Sequence, residues 1–113
     1  MKGRRLKLPK EPEMLKEQIE AMRRELEKEH GEDINWESLA AWYGNRLPSY
    51  LWREWKEELK AEGFNWQKFL KLMSYNKHYM ILWARGKMSW ESFVEKIGES
   101  LEGSVGEMIR RFG

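Results

Sequence analysis

The chain has 113 residues, enough for one folded domain that closes its own core without metals or disulfides. It contains no cysteine, which excludes disulfide frameworks, thiol nucleophiles and cysteine zinc sites, and its formal net charge is only +2. No apolar run reaches the roughly 20 residues of a membrane helix, and no signal-peptide pattern follows the basic start. We therefore expect a cytoplasmic protein.

The charges are unevenly distributed along the chain. Residues 1–10 hold five basic side chains and no acid, residues 11–33 hold four bases against nine acids, and residues 34–113 hold twelve bases against ten acids. A basic start and a basic centre are therefore separated by an acidic stretch. The bias toward Lys, Arg and Glu, with no threonine and a single aspartate, is typical of proteins from hot environments and predicts a thermophile.

Residues 1–10 offer only Leu6 and Leu8 for packing and end near Pro9, which predicts a flexible basic arm in front of a single helical domain at residues 11–113. Basic arms commonly contact phosphates, and they also serve as solubilising tails. The candidate binding residues of the arm are Lys2, Arg4, Arg5 and Lys7.

A first helix is predicted between Pro12, which suits a helix start, and Gly31, which suits a helix end. Its apolar residues form one narrow stripe, the width of a helix-pair seam. We favour a helix that lies across the surface of the bundle; the alternative is a stripe that pairs with another chain. The stripe consists of Leu15, Ile19, Met22 and Leu26.

Three later segments repeat one local pattern, an apolar residue, then Asn or Ser, then Trp. The segments are 34–39, 64–69 and 88–93. Asn or Ser can cap the free N–H groups of a new helix, and the apolar residue before the cap can pack against one in the first turn. The pattern predicts helix starts at Trp36, Trp66 and Trp90, with these three rings packed where each start meets the core.

Gly44 and Pro48 divide the next stretch into two predicted helices. The first runs from Trp36 to Tyr43, a turn follows at residues 45–49, and the second helix extends to about Glu62. The residues Leu39-Ala40, Gly44 and Leu47-Pro48-Ser49 resemble the helix-turn-helix of DNA-binding domains over residues 36–62. In that family a small alanine lets two helices approach, and the start of the second helix enters the major groove. The resemblance implies that the reading residues are Arg46, Ser49, Tyr50 and Arg53. The turn is longer than in that family, and Glu54, Glu57 and Glu58 lie in the reading helix.

The stretch from Phe64 to Met88 contains no aspartate or glutamate, and we predict one continuous helix here. Trp66, Phe69, Leu70, Met73, Met80, Ile81 and Ala84 form its apolar arc. The opposite arc alternates cations with flat rings, which suits a phosphate backbone and stacked bases. Alternatively, another helix covers the rings while the lysines extend outward. The candidate binding residues of the stretch are Lys68, Lys71, Tyr75, Lys77, His78, Tyr79, Arg85 and Lys87.

Further along, we predict a helix from Trp90 to Gly98 and a last helix that Ser100 caps. Gly103 and Gly106 each weaken that helix by ~1 kcal/mol relative to alanine, so we expect a loose segment or one that ends against a partner. No phosphate-binding glycine loop, nucleophile elbow or dinucleotide fingerprint occurs. We therefore expect no enzyme, no metal and no cofactor.

The predicted elements together indicate an all-α fold, a compact bundle of five or six helices. For function we expect a small accessory or regulatory protein that binds nucleic acid, with DNA favoured, through the basic aromatic helix and the basic arm. The alternative is a helical protein-interaction module, an adaptor or a self-associating chain, with no nucleic-acid role. We expect no membrane partner, and a homodimer stays open.

Overall fold

The computed structural model describes residues 6–31, 34–37, 39 and 44–112. Within these ranges the chain forms six helices and no strand, which confirms the all-α bundle of five or six helices. The helices are α1 (Glu13–His30), α2 (Arg46–Ala61), α3 (Trp66–Tyr75), α4 (Lys77–Ala84), α5 (Trp90–Glu102) and α6 (Ser104–Phe112). None of the described helices is both long and apolar enough to cross a lipid bilayer.

Two helix starts use the caps that the sequence predicts. The Asn65 side chain accepts a hydrogen bond from the Lys68 N–H at 2.8 Å, and the Ser89 hydroxyl accepts one from the Ser92 N–H at 3.1 Å. These bonds satisfy N–H groups that have no partner inside the helix. They fix the starts of α3 and α5.

At the third predicted start, the Asn35 side chain accepts a hydrogen bond from the Glu37 N–H at 3.0 Å, and Trp36, Glu37 and Leu39 are helical. The rest of the predicted helix at residues 36–43, including Ala40, lies outside the described residues. Helix α2 begins at Arg46, directly after Asn45. The predicted turn at residues 45–49 was therefore too long, because residues 46–49 already belong to the helix.

Aromatic side chains form the centre of the core. One residue from each of α2 to α5 is fully buried: Trp55, Phe69, Trp83 and Phe93. The Trp83 ring lies 5.4 Å from the ring of Trp90, at the start of α5. Such offset and tilted ring pairs combine a large buried apolar area with a specific geometry, which holds the helices in one arrangement.

Helix α1 lies across the bundle with its apolar stripe inward. Leu15 and Ile19 are buried, and Met22 and Leu26 are half-buried against the core. The Lys16 ammonium donates to the Trp83 carbonyl oxygen at 3.2 Å and ties α1 to the end of α4. The chain's own helices therefore cover most of the stripe, as the favoured interpretation predicts.

Residues 6–11, which we call the N-terminal segment, run in an irregular path over the helices. Its backbone carbonyls accept hydrogen bonds from three aromatic side chains: from Trp55 to Lys7 at 2.8 Å, from Trp90 to Pro9 at 2.7 Å, and from Tyr50 to Lys10. Leu6 packs against the core, and Pro9 is buried. Residues 6–10 are therefore anchored, which differs from the expected flexible arm. Lys2, Arg4 and Arg5 lie outside the described residues.

The predicted continuous helix at 64–88 is wrong, because the chain breaks at Asn76 into α3 and α4. Asn76 is buried, and its amide donates to the Leu72 carbonyl at 2.8 Å and to the Ser100 hydroxyl at 2.9 Å. A buried amide without partners is costly, so these bonds hold the break in place. The apolar arc survives it: Phe69, Met73, Met80 and Ala84 are buried, while Trp66, Leu70 and Ile81 are half-buried.

The last two helices also differ from the prediction. Helix α5 continues through Gly98 to Glu102, and the break falls at Gly103, whose backbone is extended. Gly106 in α6 is buried, and a Cβ added there would overlap the Leu101 carbonyl oxygen. The glycine therefore permits close packing of α6 on the end of α5, so this segment is a packed helix instead of a loose one.

Candidate nucleic-acid interface

The junction between α3 and α4 carries the most exposed part of the predicted ring-and-cation face. Lys71 and Tyr75 lie one turn apart on the outer side of α3, opposite the buried Phe69 and Met73. The Tyr75 ring is 53% exposed. Immediately beyond the break come the first residues of α4. We call this group the junction surface; it consists of Lys71, Tyr75, Lys77, His78 and Tyr79.

Its members differ in how freely they can contact a ligand. The Tyr79 ring is half-buried against the core, and the exposed His78 ring lies over it with the ring centroids 3.9 Å apart. Lys77 forms an ion pair with Glu37 at 2.7 Å in which both side chains are at least half exposed. Tyr75 and His78 therefore offer open ring faces, while Tyr79 supports His78.

Lys68, which the sequence places on the same face, has a structural role. Its ammonium donates to the Arg110 carbonyl oxygen at 2.8 Å and is only partly exposed. A cation at the carbonyl end of α6 satisfies an oxygen that lacks a helical partner. Lys68 therefore joins α3 to α6 instead of extending toward a ligand.

Arg85 and Lys87 lie at the far end of α4, on another part of the surface. The Arg85 guanidinium stands 5.4 Å from the Trp36 ring centroid. Both basic residues line a groove that also contains Glu20 and Glu27 of α1. The structure therefore separates them from the junction surface. The two carboxylates of α1, one of them paired with Arg23, weaken the attraction of this groove for a phosphate.

Three of the four residues named by the helix-turn-helix resemblance, Arg46, Tyr50 and Arg53, line an open groove of about 760 Å³ between the starts of α1 and α2. Arg46 and Arg53 are exposed there and share the groove with Lys10. The carboxylates of Glu11 and Glu13 line it as well. The groove therefore mixes both signs of charge.

Tyr50, the third of these predicted reading residues, makes contacts within the fold. Its hydroxyl donates to the Lys10 carbonyl, and its ring lies 6.2 Å from that of Trp90. Burial raises the pKa of Tyr50 above its ordinary value, and the nearby Glu54 carboxylate adds to the rise. The phenol therefore stays a hydrogen-bond donor. Ser49, the fourth, is half-buried.

A smaller groove of about 270 Å³ lies between the α3–α4 junction and the residues just before α2. Gly44 and Asn45, just before α2, face Ser74 and Lys77 of the α3–α4 junction across it. The junction surface and the start of α2 are therefore neighbours in space. The sequence pointed to both sets separately; Asn45, Ser74 and Lys10 were missed because only the tertiary arrangement brings them to the grooves.

The last of the predicted site residues within the described part of the chain is Lys7. Lys7 of the arm pairs with Glu54 at 3.3 Å. Within the described residues, no three metal-ligating side chains come together. No protein-family model, curated protein or solved structure matches this chain. Its function is therefore inferred from the arrangement of its own side chains.

Proposed function

We propose that this chain is a small accessory or regulatory protein that binds nucleic acid, with DNA as the favoured polymer, through the junction surface. The observation that carries the proposal is the Tyr75 ring, 53% exposed between Lys71 and His78 in a stretch with no carboxylate. Burial of a large aromatic ring lowers the free energy, so an exposed ring is available to be covered by a ligand. Because cations flank the Tyr75 ring, the favoured ligand has flat rings and negative charge. Nucleic acid carries both.

Two kinds of interaction support this proposal. A lysine that neutralises a phosphate releases bound counterions, which lowers the observed affinity as salt rises. A base stacked on an aromatic side chain contributes ~1–3 kcal/mol. Lys71 supplies one phosphate contact, Lys77 supplies a second when a phosphate replaces its exposed partner Glu37, and Tyr75 supplies the stacking platform. Because few cations take part, we expect modest affinity with a clear preference for unpaired bases.

The start of α2 is proposed as a supplementary contact. Arg46 and Arg53 are exposed in the larger groove between the starts of α1 and α2, and Asn45, directly before Arg46, lines the small groove beside the junction surface. The start of α2 directly after Asn45 supports a helix-turn-helix mode, in which this end of the helix approaches the duplex. The exposed Glu57 on the same helix opposes deep insertion into a groove.

The test uses fluorescence anisotropy with labelled single-stranded and duplex DNA and the matching RNAs. Tyr75→Ala is expected to weaken binding to single strands by roughly fivefold to a hundredfold, the equivalent of one lost stacking contact, and Tyr75→Phe to keep it. Phe112→Ala removes an even more exposed ring, 80% open on α6, and serves as the control. Equal binding by the wild type and Tyr75→Ala would contradict the proposal.

A second candidate function is self-association through α6. Met108 and Phe112 lie one turn apart on this helix and are 42% and 80% exposed, which is unusual for two large apolar side chains. Light scattering across a dilution series tests this candidate. A dimer that becomes monomeric in Phe112→Ser would support it, and a monomer at every concentration would contradict it.

A further inference from the structure

A cavity of about 190 Å³ opens between α2 and α5, away from the junction surface and sharing no residue with it. Its floor is apolar and comes from both helices and from Leu6 of the N-terminal segment. The apolar lining residues are Leu6, Trp55, Leu59, Val94 and Leu101. The hydrogen bond from Trp55 to the Lys7 carbonyl holds Leu6 over one side of the cavity.

Gly98 adds no side chain to the wall of this cavity. It lies inside α5 and lines the cavity, and a Cβ added at this position would have no neighbour within 4 Å. Glycine weakens a helix interior by roughly 0.5–1 kcal/mol relative to alanine. No close packing or positive φ requires glycine here, in contrast to Gly106. The lack of a side chain at Gly98 therefore leaves this part of the cavity wall open.

Four carboxylates line the cavity, two at the end of α2 and two on α5. Glu58 lies in the last turn of α2 and Glu62 directly follows the helix, while Glu95 and Glu102 lie two turns apart on α5, with Gly98 between them. Glu62 has an ion pair with Arg110 at 3.9 Å. The cavity thus combines an apolar floor with negative charge on two opposite walls.

We propose that this cavity binds a linear aliphatic diamine or polyamine. The volume is smaller than the roughly 300–1,000 Å³ of drug-sized sites, so it suits a narrow chain of methylene groups. Such a chain lies on Leu6 and Val94, above the buried Leu59 and Leu101, and its ammonium ends pair with Glu58 of α2 and with the carboxylates of α5. A ligand with one charge pairs with only one side of the cavity, Glu58 or the two carboxylates of α5, and an uncharged chain pairs with neither.

Calorimetric titration tests the proposal with putrescine, cadaverine and spermidine as probes, at low salt and without nucleic acid. Saturable one-to-one binding is expected, with the uncharged diol of the same chain length binding far more weakly. The double variant with Glu95→Gln and Glu102→Gln removes two exposed carboxylates. It is expected to weaken binding by about fivefold for each one. Glu25→Gln on the exposed side of α1 is the matched control and should bind as the wild type does.

Gly98→Leu tests the cavity instead of its charge, because the new side chain occupies the open space. Binding should be lost while the circular dichroism spectrum stays that of a folded helical protein. If this variant fails to fold, the carboxylate variants still decide the question, since Glu95 and Glu102 are exposed. The proposal is overturned if none of the three amines binds, if the diol binds equally well, or if the double carboxylate variant binds with unchanged affinity.

Discussion

The indole N–H of Trp90 donates a hydrogen bond to the carbonyl oxygen of Pro9 at 2.7 Å, across 81 positions of the chain. Both residues are buried. A buried tryptophan needs an acceptor for its N–H, and a buried carbonyl needs a donor. One contact therefore satisfies two groups and anchors the N-terminal segment on the start of α5. Trp55 does the same for Lys7.

Trp90→Phe should destabilise the fold by roughly 1–3 kcal/mol, because the Pro9 carbonyl stays buried and loses its donor. Urea denaturation followed by circular dichroism measures the change. The control is Trp66→Phe, since Trp66 is half-buried and its indole N–H makes no hydrogen bond to a described residue. A loss in Trp66→Phe as large as that in Trp90→Phe would show that lost ring area, not the hydrogen bond, accounts for the effect.

Replacement of two glycines in the last helices by alanine should change the free energy of unfolding in opposite directions. Gly106→Ala brings a Cβ into the Leu101 carbonyl, so we expect a loss of ~1–3 kcal/mol in spite of the better helix propensity. Gly98→Ala meets open space and should stabilise by roughly 0.5–1 kcal/mol. Thermal unfolding of the two variants side by side checks this. A higher melting temperature for Gly106→Ala would mean that α6 does not pack closely on α5.

The raised pKa of Tyr50 predicts a loss of stability at alkaline pH. The unfolded chain releases the phenol proton near the ordinary value of 10.0, while burial and Glu54 keep the proton on Tyr50 in the folded state. Above pH 10.0 the folded state therefore binds more protons than the unfolded chain. The stabilisation from Tyr50 is fully present below pH 10.0 and is lost as the pH rises from there through the raised pKa of the folded state. Urea unfolding between about pH 9 and 11 measures the slope.

Tyr50→Phe removes the group and should reduce that slope, while Tyr75→Phe, at an exposed phenol, should leave it unchanged. Identical slopes in the wild type and Tyr50→Phe would contradict the assignment. The comparison uses differences between variants, so the titration of the lysines cancels.

Local patterns in the sequence were sufficient to predict most of the fold. Helix starts at Asn65 and Ser89 follow from capping, which depends on neighbours a few positions away. The break at Asn76 could not be predicted in this way, because its amide is held by Ser100, 24 positions further on. The anchoring of residues 6–10 was missed for the same reason: a tryptophan in a sequence does not indicate its acceptor.

In the candidate site, too, local spacing predicted some features and missed those that depend on distant helices. Helical spacing placed Lys71 and Tyr75 outward correctly, since that needs only the period of α3. It also placed Lys68 outward, but α6 brings the Arg110 carbonyl against it. Similarly, α1 brings carboxylates beside Arg85. Which cation remains available to a ligand depends on helices that are distant in sequence.

The most direct test of the proposed nucleic-acid binding at the junction surface is the salt dependence of binding to labelled single-stranded DNA. The logarithm of the dissociation constant should rise linearly with the logarithm of salt. Lys71→Gln and Lys77→Gln should each lower the slope by about 0.7, and Lys28→Gln on α1 should leave it unchanged. Undetectable binding at low salt, or an unchanged slope in the Lys71 and Lys77 double variant, would contradict the account.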